Sequence, residues 1–246
     1  GKAISSLEDA IVLAEEEGYK PKENWYVLLA ASIGELKQEI GEKKAFLRQV
    51  EIYEILVNLY PKKIYFLQLG GIYNELGREK DYMITLKAAY QKDMLNRESE
   101  YLALAQLLLI NQNPYWAANV LVSGQNKIVT YTETTKDKVT GEEIKVEKTG
   151  PVIKETEKNL KLLADSWRMA QEVDKAIPVL EKAAQMSKDG KSYVLLGNLY
   201  LSEDRLELAV ESIKKGLKKG KIDKISQVHL TLGQAYFELQ KFNDAK

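Results

Sequence analysis

The 246-residue chain has no cysteine, one histidine, five prolines and no surplus of charge of either sign, since 36 Lys and Arg balance 36 Asp and Glu. Without cysteine there are no disulfide staples, thiolate zinc sites or thiol nucleophiles. A single histidine, His229, cannot build an HExxH zinc site or a two-histidine catalytic set. Balanced charge removes the basic field that a phosphate-tracking protein needs, so no nucleic-acid partner is expected. Long hydrophobic runs are missing too. The longest, Tyr101 to Ile110, interrupted only by Gln106, falls well short of the ~18 to 20 apolar residues that span a bilayer, so no direct membrane span is expected in this sequence. Neither GxxxxGK[ST] nor GxGxxG occurs, and Gly70-Gly71 sits in a helical pattern where it serves close packing. The sequence therefore predicts no catalytic residue, no metal and no cofactor, and a protein that is not an enzyme.

What is present is repetition. A small residue is followed three positions later by a large one at Gly70/Tyr73, Ala105/Leu108, Ala164/Trp167, Gly197/Tyr200 and Gly233/Tyr236, and a leucine precedes every small residue. Twelve positions after the small residue stand Ala117, Ala176, Ala209 and Ala245, with Tyr82 the exception. Sixteen and nineteen positions on come Leu86 and Ala89, Leu121 and Gly124, Leu180 and Ala183, Ile213 and Gly216. Separations between the small residues are 35, 59, 33 and 36, the long one marking an insertion.

This pattern resembles the tetratricopeptide (TPR) consensus, in which small residues let two antiparallel helices approach and large ones fill the space between successive hairpins. The resemblance implies an all-α fold, a right-handed superhelical solenoid of TPR-like helix hairpins. Its expected parts are a half repeat at 1–18, a degenerate repeat at 23–61 broken near Gly41, repeats at 63–97, 98–125, 157–189 and 190–225, and an incomplete one at 226–246. Ala3, Leu7 and Ala10 match the spacing of Ala176, Leu180 and Ala183 and read as a second helix. On this reading the chain begins and ends inside repeats, and any signal peptide or anchor would lie outside the sequence. Pro61 and Pro114 fall at helix boundaries, and an N-cap at Asp174 would keep Pro178 within the first turn.

Between Gly124 and Glu157 the helical period gives way to alternating β-branched residues, which predicts an inserted β-hairpin over about 127–150 with its turn around Lys136 to Glu142. It reads either as a docking arm or exposed edge for a partner strand, or as a tolerated surface insertion.

In TPR proteins the first helix of each hairpin lines a concave face that receives an extended peptide or a partner helix. Counting the small residue as position eight, positions five, nine and twelve should face that groove. Position five supplies Leu67, Leu102, Lys161, Val194 and Leu230. Position nine supplies Gly71, Gln106, Asp165, Asn198 and Gln234. Position twelve supplies Asn74, Leu109, Arg168, Leu201 and Phe237. Amides can pair with a peptide backbone while an apolar row takes its side chains; the same residues could instead only pack against neighbouring helices. The carboxylate clamp of chaperone-binding relatives is not supported, because Asn198 is accompanied by Val194 and Ser202, and Lys161 by Asp165.

The remaining chemistry reads as structural. His229 takes a helix-packing position, Glu15 to Glu17 form a solvated face, and Lys214, Lys215, Lys218 and Lys219 complement a helix dipole, with an acidic or phospholipid partner as the lesser reading. Three stretches, EYLALAQLLLINQNPYWAANVL, NLKLLADSWRMAQEVDKAIPVLEKAA and YVLLGNLYLSEDRLELAVESIKKGL, resemble bacterial TPR proteins encoded beside TonB, ExbB and ExbD. That resemblance implies a periplasmic accessory of TonB-dependent transport, with TonB, ExbB or ExbD components among its protein or peptide partners. The hairpin departs from that pattern. A cytoplasmic or envelope assembly scaffold is the alternative, and the repeat region of a larger enzyme a more distant one.

Overall fold

The computed structural model describes residues 2–136 and 142–239. Their helices are α1 (Lys2–Glu16), α2 (Glu23–Glu35), α3 (Lys37–Ile40), α4 (Glu42–Leu59), α5 (Lys63–Glu75), α6 (Glu79–Gln91), α7 (Glu98–Ile110), α8 (Pro114–Asn126), α9 (Glu157–Met169), α10 (Val173–Met186), α11 (Lys191–Ser202), α12 (Leu206–Lys219) and α13 (Ile225–Glu238). One hairpin, β1 (Ile128–Lys136) and β2 (Glu143–Pro151), interrupts them. The fold is thus an all-α array of TPR-type hairpins with one β insertion. It divides into two compact units, one to Leu107 and one from Leu108.

Four of the hairpins turn by the same device. Seven positions after the small residue, Gly77, Gln112, Gln171 and Asp204 all take left-handed backbone angles, with φ of 69°, 57°, 62° and 57°. The following N–H then reaches back to the carbonyl of the large residue: Arg78 to Tyr73 at 2.8 Å, Asn113 to Leu108 at 2.8 Å, Glu172 to Trp167 at 2.9 Å and Arg205 to Tyr200 at 2.8 Å. This 6→1 closure satisfies carbonyls that the first helix would leave unpaired. Only one of the four turn residues is glycine, and left-handed angles cost a residue with a Cβ roughly 1 kcal/mol or more, so packing of the paired helices carries that cost.

In the first unit α2 packs with α4, α4 with α5 and α5 with α6. Its core holds Tyr26, Leu29, Ala30, Ile33, Ala45 and Leu56, then Leu69, Ile72 and Tyr73. The break at Gly41 is as expected, with φ of 90° and the short α3 before it. α1 meets α2 through Ile4 and Ile11, whereas Ala3 is exposed and Leu7 and Ala10 are half-buried. The residues that matched the second-helix spacing are therefore not the main contact of α1. Glu100, buried on α7, accepts from the N–H groups of Asn96 and Arg97 at 3.0 and 3.1 Å and from Lys63 Nζ at 2.8 Å, tying a helix start to α5.

In the second unit α8 packs on α9, and α9 to α13 pack in sequence. Ala117, Ala176 and Ala209 are wholly buried, as are Leu121 and Leu180 to within 1%. Gly190 and Gly216 cross where no side chain fits: a Cβ on Gly190 would lie 2.0 Å from the Gly216 carbonyl oxygen. Pro114 opens α8 at its first turn as expected. α10 differs from expectation. It starts at Val173, so Asp174 is its second residue and bonds Arg205 at 3.0 Å, while Pro178 is the sixth and removes an intrahelical bond. The helix starts two residues earlier, directly after Glu172, whose N–H closes on the Trp167 carbonyl, and this outweighs the cap.

α8 runs to Asn126, slightly past the expected break, and the strands pair antiparallel from Ile128↔Pro151 to Lys136↔Glu143. Residues 137–141 of the expected turn lie outside the described residues, as does Ala245. The root of the hairpin is held by Val152 N–H to the Lys127 carbonyl at 2.8 Å and Ile153 N–H to that of Gly124 at 3.0 Å. Ile153 is 1% exposed and anchors this root in the core.

Candidate functional site

Of the groove positions, Leu67, Asn74, Leu102 and Gln106 lie in the first unit, and Asp165, Arg168, Asn198, Leu201, Leu230, Gln234 and Phe237 in the second. In the first unit Asn74 and Gln106 are exposed, and Leu67 and Leu102 half-buried.

In the second unit Asn198 on α11 and Gln234 on α13 are exposed. Leu230 and Phe237 flank Gln234 on α13 and are 65% and 64% exposed, while the other side of that helix buries Val228, Ala235 and Tyr236. Together with His229, Gly233 and Glu238 they line a depression of about 380 Å³. His229 is exposed there, so it does not occupy the packing position expected of it; the adjacent Val228 does.

Two candidates are brought to each other. Arg168 donates to Asp165 at 3.1 Å, one turn apart on α9, which leaves less of either charge for a ligand. Lys161 pairs with Glu157 at 2.5 Å, and that ammonium, with a bond from Ser187, holds the Glu157 carboxyl below the usual carboxylate range. Leu201, half-buried, packs on the cluster of Val210, Ala235 and Tyr236 and so joins α11 to its neighbours.

A second cleft, of about 450 Å³, lies in the first unit between second helices α4 and α6 and is floored by α5. Phe66, Leu69 and Tyr73 form its base, with Ile84 and Lys92 at its margin. The Tyr73 hydroxyl donates to Glu54 at 2.5 Å, and burial together with that carboxylate pushes its pKa up. The repeat spacing singles out first-helix positions, whereas this cleft is walled by residues of the second helices α4 and α6, which it does not single out. The lysine cluster of α12 is partly engaged, Lys215 with Glu211 at 2.7 Å and Lys219 with the Ala184 carbonyl at 2.9 Å. Among the described residues no group of three or more acidic or histidine side chains could hold a metal, and no helix is long and apolar enough to cross a membrane.

No protein-family profile matches the chain, and no curated protein sequence does. Solved structures do. The chain is similar to YrrB, a TPR protein with an unusual peptide-binding site, at 12% identity over 96% of this chain and 97% of that one, with a TM-score of 0.50. It is also similar to MamA of AMB-1 at 17% identity over 74% and 85% of the two chains, TM-score 0.51. MamA of Desulfovibrio magneticus RS-1 matches at 15% identity over 73% and 86%, TM-score 0.50. At such identities the likeness establishes the helical-repeat fold.

Proposed function

We propose that the chain is a non-catalytic scaffold that takes an extended peptide or partner segment along the first helices of its second unit. The observation that carries this reading is α13, which holds Leu230 and Phe237 out toward solvent on either side of Gln234. Two large apolar side chains around an amide, with the Asn198 amide on α11, give a peptide both pockets for side chains and partners for its backbone. YrrB, of similar fold, has a peptide-binding site. The finer reading, a periplasmic accessory of a TonB-dependent transport system, rests on the resemblance of three stretches of sequence.

Photo-crosslinking residues placed at Asn198 and Gln234, with Lys182 and Lys214 as controls on second helices, test both levels. Incubation with separated periplasmic and cytoplasmic extracts of a bacterium carrying a TonB system should give adducts at the first-helix positions, with TonB, ExbB or ExbD components from the periplasmic fraction. Adducts confined to the control positions would overturn the groove. Adducts at Asn198 and Gln234 with cytoplasmic complexes alone would keep the scaffold and remove the TonB reading.

A further inference from the structure

The hairpin is a two-stranded sheet whose β2 has one edge on β1 and, among the described residues, no strand on the other. Among the described helices its main contact is that of β2 with α8, and it is a small one. From Glu143 to Thr149 every residue is exposed except Val146, which is half-buried. Its root is fixed by the Val152 and Ile153 bonds, so the edge is presented rather than collapsed onto the helices. Such an edge is a template for another strand, and two strands alone are marginally stable in water.

The charges on β2 select the added strand. Within the hairpin Lys145 stands opposite Thr134 and Glu147 opposite Thr132, so neither meets an opposite charge in register. Glu133, in contrast, already pairs with Lys148 on the other face. We propose that the outer edge of β2 pairs antiparallel with β2 of a second copy of this chain, about a two-fold axis at Val146. That register sets Lys145 of each copy against Glu147 of the other, twice, and Val146 against itself. It places Ile144 opposite Lys148 and Glu143 opposite Thr149, with no like charges facing. Pairing centred on Lys145, Glu147 or Lys148 would oppose like charges directly, which destabilises a ladder, and pairing centred on Ile144, though it matches Glu143 with Lys145, would set only Glu143 to Lys145 of β2 against each other. The outer edge of β1 offers no comparable match: centred on Thr132 it sets Tyr131 against Glu133 and Ile128 against Lys136. Gly150 and Pro151, the latter without an N–H, end the edge on the side of the root. The four strands continue the face on which Val129, Tyr131 and Val146 are half-buried.

Sedimentation equilibrium of the full chain tests this, with K145E and E147K made separately. Wild type should move from the 27.9 kDa of one chain toward twice that as concentration rises. Each single variant puts like charges in register twice and should associate about tenfold more weakly or worse. An equimolar mixture of the two variants restores both opposite-charge pairs and should associate like wild type, an outcome that misfolding of either variant cannot produce. A wild type that stays at one chain's mass, single variants that dimerise as tightly as wild type, or a mixture that stays monomeric would each overturn the proposal.

Discussion

The ring of Tyr82 on α6 lies so close over Gly70 on α5 that a Cβ on Gly70 would stand 2.9 Å from both Cδ2 and Cε2. This is the unit in which tyrosine replaces the small second-helix residue found in the others. The missing side chain on one helix makes room for the extra one on its partner.

Gly70→Ala should therefore behave in opposite ways in two backgrounds. In the wild type it forces the ring aside, and overpacking of this kind costs ~1 to 3 kcal/mol. In a Tyr82→Ala background the contact is gone and the helix propensity of alanine over glycine, about 1 kcal/mol, should stabilise. Urea unfolding of the wild type, the two single variants and the double variant measures this; equal effects in both backgrounds would refute the pairing.

Packing and groove positions should separate in the same kind of experiment. Ala117→Leu and Ala176→Leu add volume at wholly buried sites and should each lose ~1 to 3 kcal/mol. The double change Asn198→Ala and Gln234→Ala alters exposed side chains and should leave the melting temperature near that of the wild type while weakening a peptide bound there. The reverse order in thermal melts would mean that the two sets of positions have been exchanged.

Glu100→Ala should be costly for a single charged residue. It removes the acceptor for two backbone N–H groups and for Lys63, whose ammonium is 2.7 Å from the other carboxylate oxygen. Leaving such groups unmatched costs about 1 to 3 kcal/mol, and Glu100→Gln should recover part of it. Chemical denaturation midpoints give the comparison.

Alkaline pH should destabilise the chain through its buried tyrosines. Burial, and secondarily the Glu181 carboxylate 2.6 Å away, pushes the Tyr200 hydroxyl up to about 12; burial and Glu15 do the same to Tyr26, again about 12. An unfolded tyrosine titrates near about 10. Above that pH the unfolded chain releases protons that the folded one retains, so the stabilisation present below it is lost as pH rises toward the folded value. Melting temperature should hold up to the unfolded pKa and fall beyond it. Tyr200→Phe should start lower by the loss of one hydrogen bond, about 1 kcal/mol, but fall less steeply. A slope unchanged in that variant would remove Tyr200 as a contributor.

The sequence by itself determined the helical hairpins and their phase. A small residue, a large one three positions later and an alanine at twelve are local demands of two helices in close approach, and they leave a period that can be counted. The insertion was legible for a similar reason, since alternation on a strand is local, whereas the register that pairs Ile128 with Pro151 came from the structure. Tertiary structure decided what depends on neighbours distant in sequence. The left-handed turns at Gln112, Gln171 and Asp204 exist because packed helices outweigh a backbone preference that would have named glycine. The start of α10 moved ahead of Asp174 because the closure at Trp167 and the bond to Arg205 outweighed a cap. Of the groove residues, Asn198 and Gln234 stand open, whereas Asp165 and Arg168 satisfy each other and Leu201 is taken up by α12 and α13. Spacing assigns a residue to a face of its helix; which atoms it meets there is set by helices whose positions the period does not encode.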